Sequence, residues 1–343
     1  MQIIAVGVRS LGMGGAQIAA ANDAAAVWNN PACLRAVTDN QVFFALGGLG
    51  KQYDILDHPP LTDNQAGDVL GTVKGYAPDD DAWSGGQLAA VQSLDTLKFA
   101  WGVSVHDPFE EDFYDGRQEF NTIYLGLGFA LTPLDPLNIG MSVNFGNFGT
   151  YYTGGVTWRL PDLFGPVTVT TGLVGRAWGP TRRPRLINDQ PGTAGGGVAA
   201  TWAGFTLAGD IERYFFDGVT ATDEDQPSSP GGGSIDPVQY DLSAAGDITE
   251  YRLGAEKRLE NGPAFLAVRG GWAWKTLLQV NQNDDSPISN GEWTLGVSAG
   301  GDRFAVHTAF SWFNYERWRI SDIGGYYKER VRTSQVRVGF SVF

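Results

Sequence analysis

Cysteine is almost missing from this chain: Cys33 is the single one among 343 residues. No intrachain disulfide and no multi-cysteine metal site can form from it. Histidine is scarce as well. His58, His106 and His307 stand apart, in no HxxxH or HExxH spacing. Basic residues are outnumbered, 24 Lys+Arg against 38 Asp+Glu, for a net charge of −14. Such a chain repels phosphate, so nucleic acid is not expected as a partner. Charged residues of both signs reach only 18%, below the usual ~25%. No uninterrupted apolar run of roughly 18 residues occurs, which leaves no transmembrane helix. The start, Met1-Gln2-Ile3-Ile4-Ala5-Val6, has no basic residue and no full apolar core, so it does not read as a secretory leader. For an exported chain the leader is expected to have been removed.

Glycine, by contrast, is abundant, at 47 residues, and aromatics make up 12%. The apolar content is too high for a disordered chain. From about residue 82 the sequence repeats one device, an alternating segment followed by a turn. Ile123, Leu125, Leu127, Phe129 and Leu131 alternate with Tyr124, Gly126, Gly128 and Ala130. Leu97, Phe99, Trp101, Val103 and Val105 do the same, as do Leu137, Ile139, Met141, Val143 and Phe145. A period of two, with one apolar face and one small or polar face, means strands rather than helices. Fourteen are predicted: 40–48, 82–92, 96–106, 120–131, 136–146, 152–160, 166–178, 193–202, 204–213, 248–258, 264–275, 291–301, 303–313 and 331–343.

Their connections alternate between short (such as 93–95, 132–135, Ala203 and Asp302) and mostly long (49–81, 107–119, 147–151, 179–192, 214–247, 276–290, 314–330). One rim of tight turns, one rim of mostly long loops and an even strand number describe an outer-membrane β-barrel. The second strand face carries glycine, alanine, serine and asparagine. It also carries scattered charges: Lys98, Arg176, Asp210, Glu212, Arg252, Glu256, Arg269, Lys275, Arg303, His307 and Arg337. Facing lipid, each basic one would cost about 2–4 kcal/mol at the midplane. Facing a lumen they can pair and hydrate, so the polar face is expected inside. Closure also removes exposed sheet edges. Trp101, Trp158, Trp202, Trp272, Trp274, Trp293 and Trp312 are expected to form interfacial girdles. The apolar face of the last strand, Val336, Val338, Phe340 and Val342, is out of phase with the terminal Phe343, which predicts a bulge or a different end conformation. Three long connections hold most of the negative charge, −5 in 49–81, −5 in 107–119 and −7 in 214–247. Their acidic runs read as solvated loops in no calcium-binding spacing, with outer-membrane lipid and lipopolysaccharide as the surrounding partners.

Residues 1–38 depart from the strand pattern. Their glycine cluster lacks the Lys-Ser/Thr pair and the βαβ context of a phosphate loop. The order Arg9-Ser10-Leu11-Gly12-Met13-Gly14-Gly15-Ala16, then Asn22-Asp23-Ala24, then Asn30-Pro31-Ala32 and Leu34, resembles the N-terminal signature of the FadL/TodX superfamily, which includes PorV-like proteins. The motif spans about a tenth of the chain. The resemblance implies residues 1–38 as an N-terminal hatch (plug) inside the lumen of a fourteen-stranded barrel over 39–343. The hatch motif maps to Arg9, Gly12, Gly14, Gly15, Asp23, Asn30, Pro31 and Ala32. Asn22-Asp23 replaces a frequent acidic pair, and Cys33 follows Ala32 where glycine is common.

An enzyme is not expected. No GxSxG elbow appears, and Ser104 with His106 on an inward face reads as neighbouring lumen polars. No cofactor and no metal are expected. The resemblance implies passive uptake of hydrophobic small molecules, fatty-acid-like or aromatic, across the bacterial outer membrane. Phe109, Phe113, Tyr114, Phe215 and Phe216 are candidate ligand-capture residues in the loops. The alternative is a plugged barrel docking a protein partner of a secretion or cell-surface assembly complex.

Overall fold

The computed structural model describes residues 2–3, 6–38, 40–57, 86–106, 109–110, 123–146, 149–178, 192–215, 220–223, 238–241, 247–280, 287–320 and 326–343. Alternation resolves into fourteen long strands: β1 (Gln41–Asp57), β2 (Gln87–Leu94), β3 (Phe99–His106), β4 (Tyr124–Leu134), β5 (Leu137–Gly146), β6 (Gly149–Phe164), β7 (Val167–Trp178), β8 (Gly192–Trp202), β9 (Phe205–Phe215), β10 (Ile248–Asn261), β11 (Ala264–Val280), β12 (Pro287–Gly300), β13 (Phe304–Ile320) and β14 (Tyr326–Val342). Each pairs antiparallel with the next, and β14 returns to β1, closing a barrel. Two minor ladders lie outside it, Gln2–Ile3 with Phe109–Glu110 and Thr220–Asp223 with Val238–Asp241.

Every predicted strand has its counterpart. Ends differ most on the long-loop side, where β1, β11, β12, β13 and β14 extend into stretches expected to be loops. These extensions lose the apolar alternation that marks lipid-facing strand, so the sequence pattern stops before the hydrogen-bond ladder does. Cross-strand charge holds part of them together: Glu316 of β13 accepts from Arg330 at 2.6 Å and from Lys328 at 2.7 Å on β14. Short turns fit their residues. Ala203 and Gly204 both take positive φ, 46° and 75°, as a two-residue hairpin turn of the twisted kind demands.

The barrel is inverted relative to a water-soluble core. Leu127, Phe129, Met141, Leu253, Leu295 and Val338 are exposed on its outer face. Ser104, Asn144, Thr153, Asp210, Glu256, Arg269 and Arg337 are buried on the inner one. Two of the predicted inward charges are instead in turns. Lys98 adopts a left-handed conformation after β2 and pairs with Asp135 at 2.8 Å, and Arg303 is exposed before β13. Both belong to hairpins too tight to turn a side chain into the lumen. Phe343 leaves the ladder without a bulge, its N–H bonded to the Arg303 carbonyl at 3.0 Å.

Outward aromatics form two belts. Near the turns, Trp202 stacks on Phe205 and Phe99 on Phe129, with Trp101 and Trp158 at the same rim. Toward the loops, Trp272, Trp293 and Trp312 stand side by side in register on β11, β12 and β13. The amphipathic indole suits the boundary between hydrocarbon and water. Among the described residues β1 pairs with β2 through Gln41–Ala45 and with β14 over Val42–Asp57. Because Leu295 lies within the outer apolar face, Leu295→Arg is expected to destabilise the barrel by about 2–4 kcal/mol in lipid vesicles, read by urea unfolding. The same change at exposed Asp302 in a turn is expected to cost well under half as much.

Candidate functional site

The N-terminal segment is built from short pieces: a helix Val8–Gly12, a helical turn Ala26–Asn29 and a 3-10 stretch Pro31–Ala36. Small residues keep its backbone near its surface, and that surface meets the inner barrel wall. Met13, Ala16, Ala24, Val27, Ala32 and Leu34 are all buried. The segment starts at the long-loop side, where Gln2–Ile3 pairs with Phe109–Glu110, and ends beside the short turns, where Arg35 reaches Ser93 and Asp95. It therefore runs the length of the lumen.

Buried charge fixes the segment to the wall. Arg9 forms a two-pronged pair with Glu256 of β10, Nε and Nη2 each 3.1 Å from a carboxylate oxygen, while Nη1 donates to Gln17 and to the Ala20 carbonyl. The adjacent Glu256 carboxylate compensates the burial of the Arg9 charge. Arg269 of β11 also donates to Glu256. On the neighbouring strand β9, Asp210 Oδ2 accepts from the backbone N–H groups of Gln17 (2.5 Å) and Ile18 (2.8 Å). Arg176 of β7 donates to the Asn29 carbonyl at 2.8 Å. Hydrogen bonds with a charged partner are each worth about 1.5–3 kcal/mol.

Asn30 uses both ends of its amide. Its oxygen accepts from Ala32 N–H at 3.1 Å, capping the 3-10 turn, with Pro31 at the position that needs no donor. Its Nδ2 donates to the Ile18 carbonyl at 2.6 Å. Aspartate could cap but could not donate, so the Asn-Pro-Ala sequence has a physical reason. Asp23 Oδ1 accepts from Ala25 N–H at 3.0 Å. Cys33 is buried as a small packing group.

The wall accommodates this segment because it lacks side chains where the backbones meet. A Cβ on Gly254 would stand 2.5 Å from the Met13 carbonyl oxygen, and one on Gly172 would stand 2.5 Å from that of Ile18. On Gly140 it would strike the Pro31–Ala32 peptide, on Gly271 the Gly14 N–H, and on Gly155 the Asn30 amide. Inward glycines that could equally have left open space are thus filled by the chain itself. Gly126 and Gly128 face Val27 and Leu34. The remaining strands meet the segment too: β1 through Gln41, which accepts from Ala24 N–H, β3 at Gly102 beside Val27, β8 at Gly195 beside Ile18, β12 at Gly296 beside Gly12, and β13 and β14 against the first helix.

On the loop side of the segment the two halves of the lumen differ. From β3 to β7 an aromatic cluster gathers round Trp28: His106 at 5.0 Å, Tyr151 at 5.4 Å and Tyr124 at 6.1 Å between ring centres, with Trp178 4.1 Å from Tyr151. Ser104 Oγ and His106 Nδ1 are 2.9 Å apart, a pair of lumen neighbours as expected. On β7 and from β9 to β12 the wall is ionic. Arg176 and Arg252 both bind Glu212, Arg252 also binds Glu250, and Lys275 pairs with Glu292 at 2.6 Å. These charges surround a cavity of about 30 Å³, floored by Ser10, Gly14 and Gly15, with Trp28 at its edge. That volume holds about two waters.

The structure brings all eight predicted motif residues into this one assembly, Gly12 against Gly296 and Gly15 beside Arg252. Of the predicted capture residues, only Phe215 and the backbone of Phe109 fall within the described residues. Phe215 ends β9, exposed and on the face opposite buried Tyr214, so it belongs with the outward aromatics. Phe109 is in the short ladder with Ile3, and Phe113, Tyr114 and Phe216 lie outside the described residues. The acidic runs Asp79–Asp81 and Asp284–Asp285 lie outside them too, as does most of 223–225. Glu250 and Glu292 went unnoticed in the sequence, although both occupy the inward phase of their strands.

Arg9→Met removes two donors from Glu256 but leaves Arg269 beside it. A loss of about 1–3 kcal/mol in urea unfolding is expected. Gly140→Val, which forces methyl groups into a peptide, is expected to abolish the heat-modifiable folded band on a gel.

No family profile matches the chain, and no curated protein does. Solved structures do. The toluene transporter TodX of P. putida superposes with a TM-score of 0.61 at 14% identity, over 99% of either chain. A Pseudomonas aeruginosa FadL homologue gives 0.61 at 12% identity, over 98% of each. The CymD monoaromatic hydrocarbon channel gives 0.59 at 12%, covering 100% of this chain and 98% of its own. Such likeness at low identity reflects a shared architecture: this chain has the fold of the TodX and FadL-type barrels.

Proposed function

We propose that this protein is an outer-membrane channel for hydrophobic small molecules, with residues 1–38 acting as a hatch across its lumen. One observation carries the reading. A barrel with an apolar outer face holds its own N-terminal segment against all fourteen strands, with small residues and buried charge, and leaves no wide watery pore among the described residues. A water-filled channel serves polar solutes. A hydrophobic solute gains little from one and is better served by a closed lumen entered from the loop side. Likeness to a toluene transporter and a monoaromatic hydrocarbon channel supports a cargo of this class. The docking alternative gains no such support.

Cargo arriving among the long loops meets the loop-side face of the segment between the aromatic and the ionic walls. Onward movement requires the segment to shift or the cargo to leave sideways. Lipid and lipopolysaccharide contact the aromatic belts and the apolar face between them.

Two measurements test this. Deleting residues 1–38 is expected to raise ion conductance in planar bilayers several-fold over the full chain; unchanged conductance refutes the hatch. Outer membranes carrying the full barrel are expected to admit radiolabelled toluene faster than membranes without it. Equal rates refute the channel.

A further inference from the structure

A row of side chains on the inner wall runs from one contact with the N-terminal segment to another. It starts at Glu256 of β10, the partner of Arg9. Arg269 of β11 donates to Glu256 through Nε and to Ser298 Oγ of β12 through Nη1. Ser298 Oγ lies 2.7 Å from Nδ1 of His307 on β13, and His307 Nε2 lies 2.8 Å from Ser341 Oγ on β14. Gln41 of β1 ends the row. Its Nε2 donates to Ser341 Oγ at 3.1 Å, and its Oε1 accepts from the Ala24 N–H at 3.2 Å. Six neighbouring strands contribute one residue each, and the row crosses the β14–β1 seam where the barrel closes. Glu256, Arg269, Ser298, Ser341 and Gln41 are all buried.

Hydrogen counting makes His307 the pivot. Arg269 and Gln41 donate into the two serines from outside, so each serine still has its own hydroxyl hydrogen to place. A neutral imidazole takes such a hydrogen at one nitrogen and donates to the second serine from the other. One ring therefore joins both halves of the row in either tautomer, and the Phe43 ring packs beside it at 5.8 Å. Direction matters at Gln41 too. An amide has a donor end and an acceptor end, and only the acceptor end suits the Ala24 N–H. Ser341 takes the donor end and thereby sets which way the amide faces, while His307 fixes Ser341. Members of a buried network of this kind act together rather than pair by pair.

We infer that His307 is a positioning residue of the hatch, holding it at Ala24 through Ser341 and Gln41. The inference rests on the hatch reading and adds a residue of the barrel wall to those that retain the segment. Asp210, Arg176 and Arg35 grip other points and are not members of the row. Loss of His307 thus loosens the hatch around Ala24 and leaves it attached elsewhere.

The test records planar-bilayer currents of the full barrel and of the barrel without residues 1–38. His307→Leu is expected to raise the time spent at the conductance of the deleted form about fivefold, the equivalent of one lost hydrogen bond. Gln41→Leu is expected to do the same, and the double variant no more than either alone, because both break one connection. His307→Gln puts an amide nitrogen near the place of Nε2, keeps the link to Ser341, and is expected to restore the wild-type record. A His307→Leu barrel that keeps its heat-modifiable band and conducts like the wild type overturns the inference. So do additive effects in the double variant, or a folded His307→Gln barrel that conducts like the leucine variant. If His307→Leu does not fold, Ser341→Ala takes its place, and a wild-type record there overturns the inference. Unchanged conductance on deleting residues 1–38 is a separate result, which overturns the hatch reading itself.

Discussion

Backbone meets backbone inside this barrel, and the rest of the structure follows from that contact. Fourteen strands turned apolar side out leave a lumen that must hold water, a polar network or another piece of chain. Here the N-terminal segment enters, and it fits because Gly140, Gly155, Gly172, Gly254 and Gly271 present no Cβ toward it. Glycine is unfavourable in a strand interior, by roughly 0.5–1 kcal/mol relative to alanine. Its repeated use at inward positions is compensated by the burial of Met13, Ile18, Leu34 and their neighbours. The wall and the segment are therefore complementary surfaces of one core.

Charge adds direction to that packing. Arg9 with Glu256, and Asp210 with two successive backbone N–H groups, grip the segment at points on opposite sides of Ala16. Breaking such a buried pair exposes a charge with nowhere to go, so these contacts fix one position of the segment rather than many. Above the grip the lumen divides into aromatic and ionic halves.

Legibility from the sequence followed the physics of each feature. Strands facing lipid on one side must alternate strictly, so all fourteen could be read, including β4 from Ile123 to Leu131. The extensions of β13 and β14 could not, because beyond the apolar belt the outward face turns polar, with Asn314 and Glu316, while Tyr315 and Arg317 are buried inside, so the apolar-out pattern that betrays a lipid-facing strand disappears. Lys98 and Arg303 misled for a related reason. Each continues the phase of its strand but sits in a turn, where phase no longer fixes direction. Phe215 looked like a loop residue because β9 runs two residues farther than the alternation suggests.

By itself, then, the sequence determined the strand number, the asymmetric rims and which face of each strand is apolar, since these depend on local period and local punctuation. It also marked the motif residues from Arg9 to Ala32 through their order along the chain. Tertiary structure alone decided what those residues touch. Arg9 and Glu256 are 247 positions apart, and Gly12 meets Thr294 across 282. Pairings over such separations are set by barrel closure and strand stagger, which no local window of sequence contains. The ionic cavity formed by β7 and β9 to β12 is of the same kind: six charges, unremarkable one by one, acquire a joint chemistry only when closure turns them toward a single point.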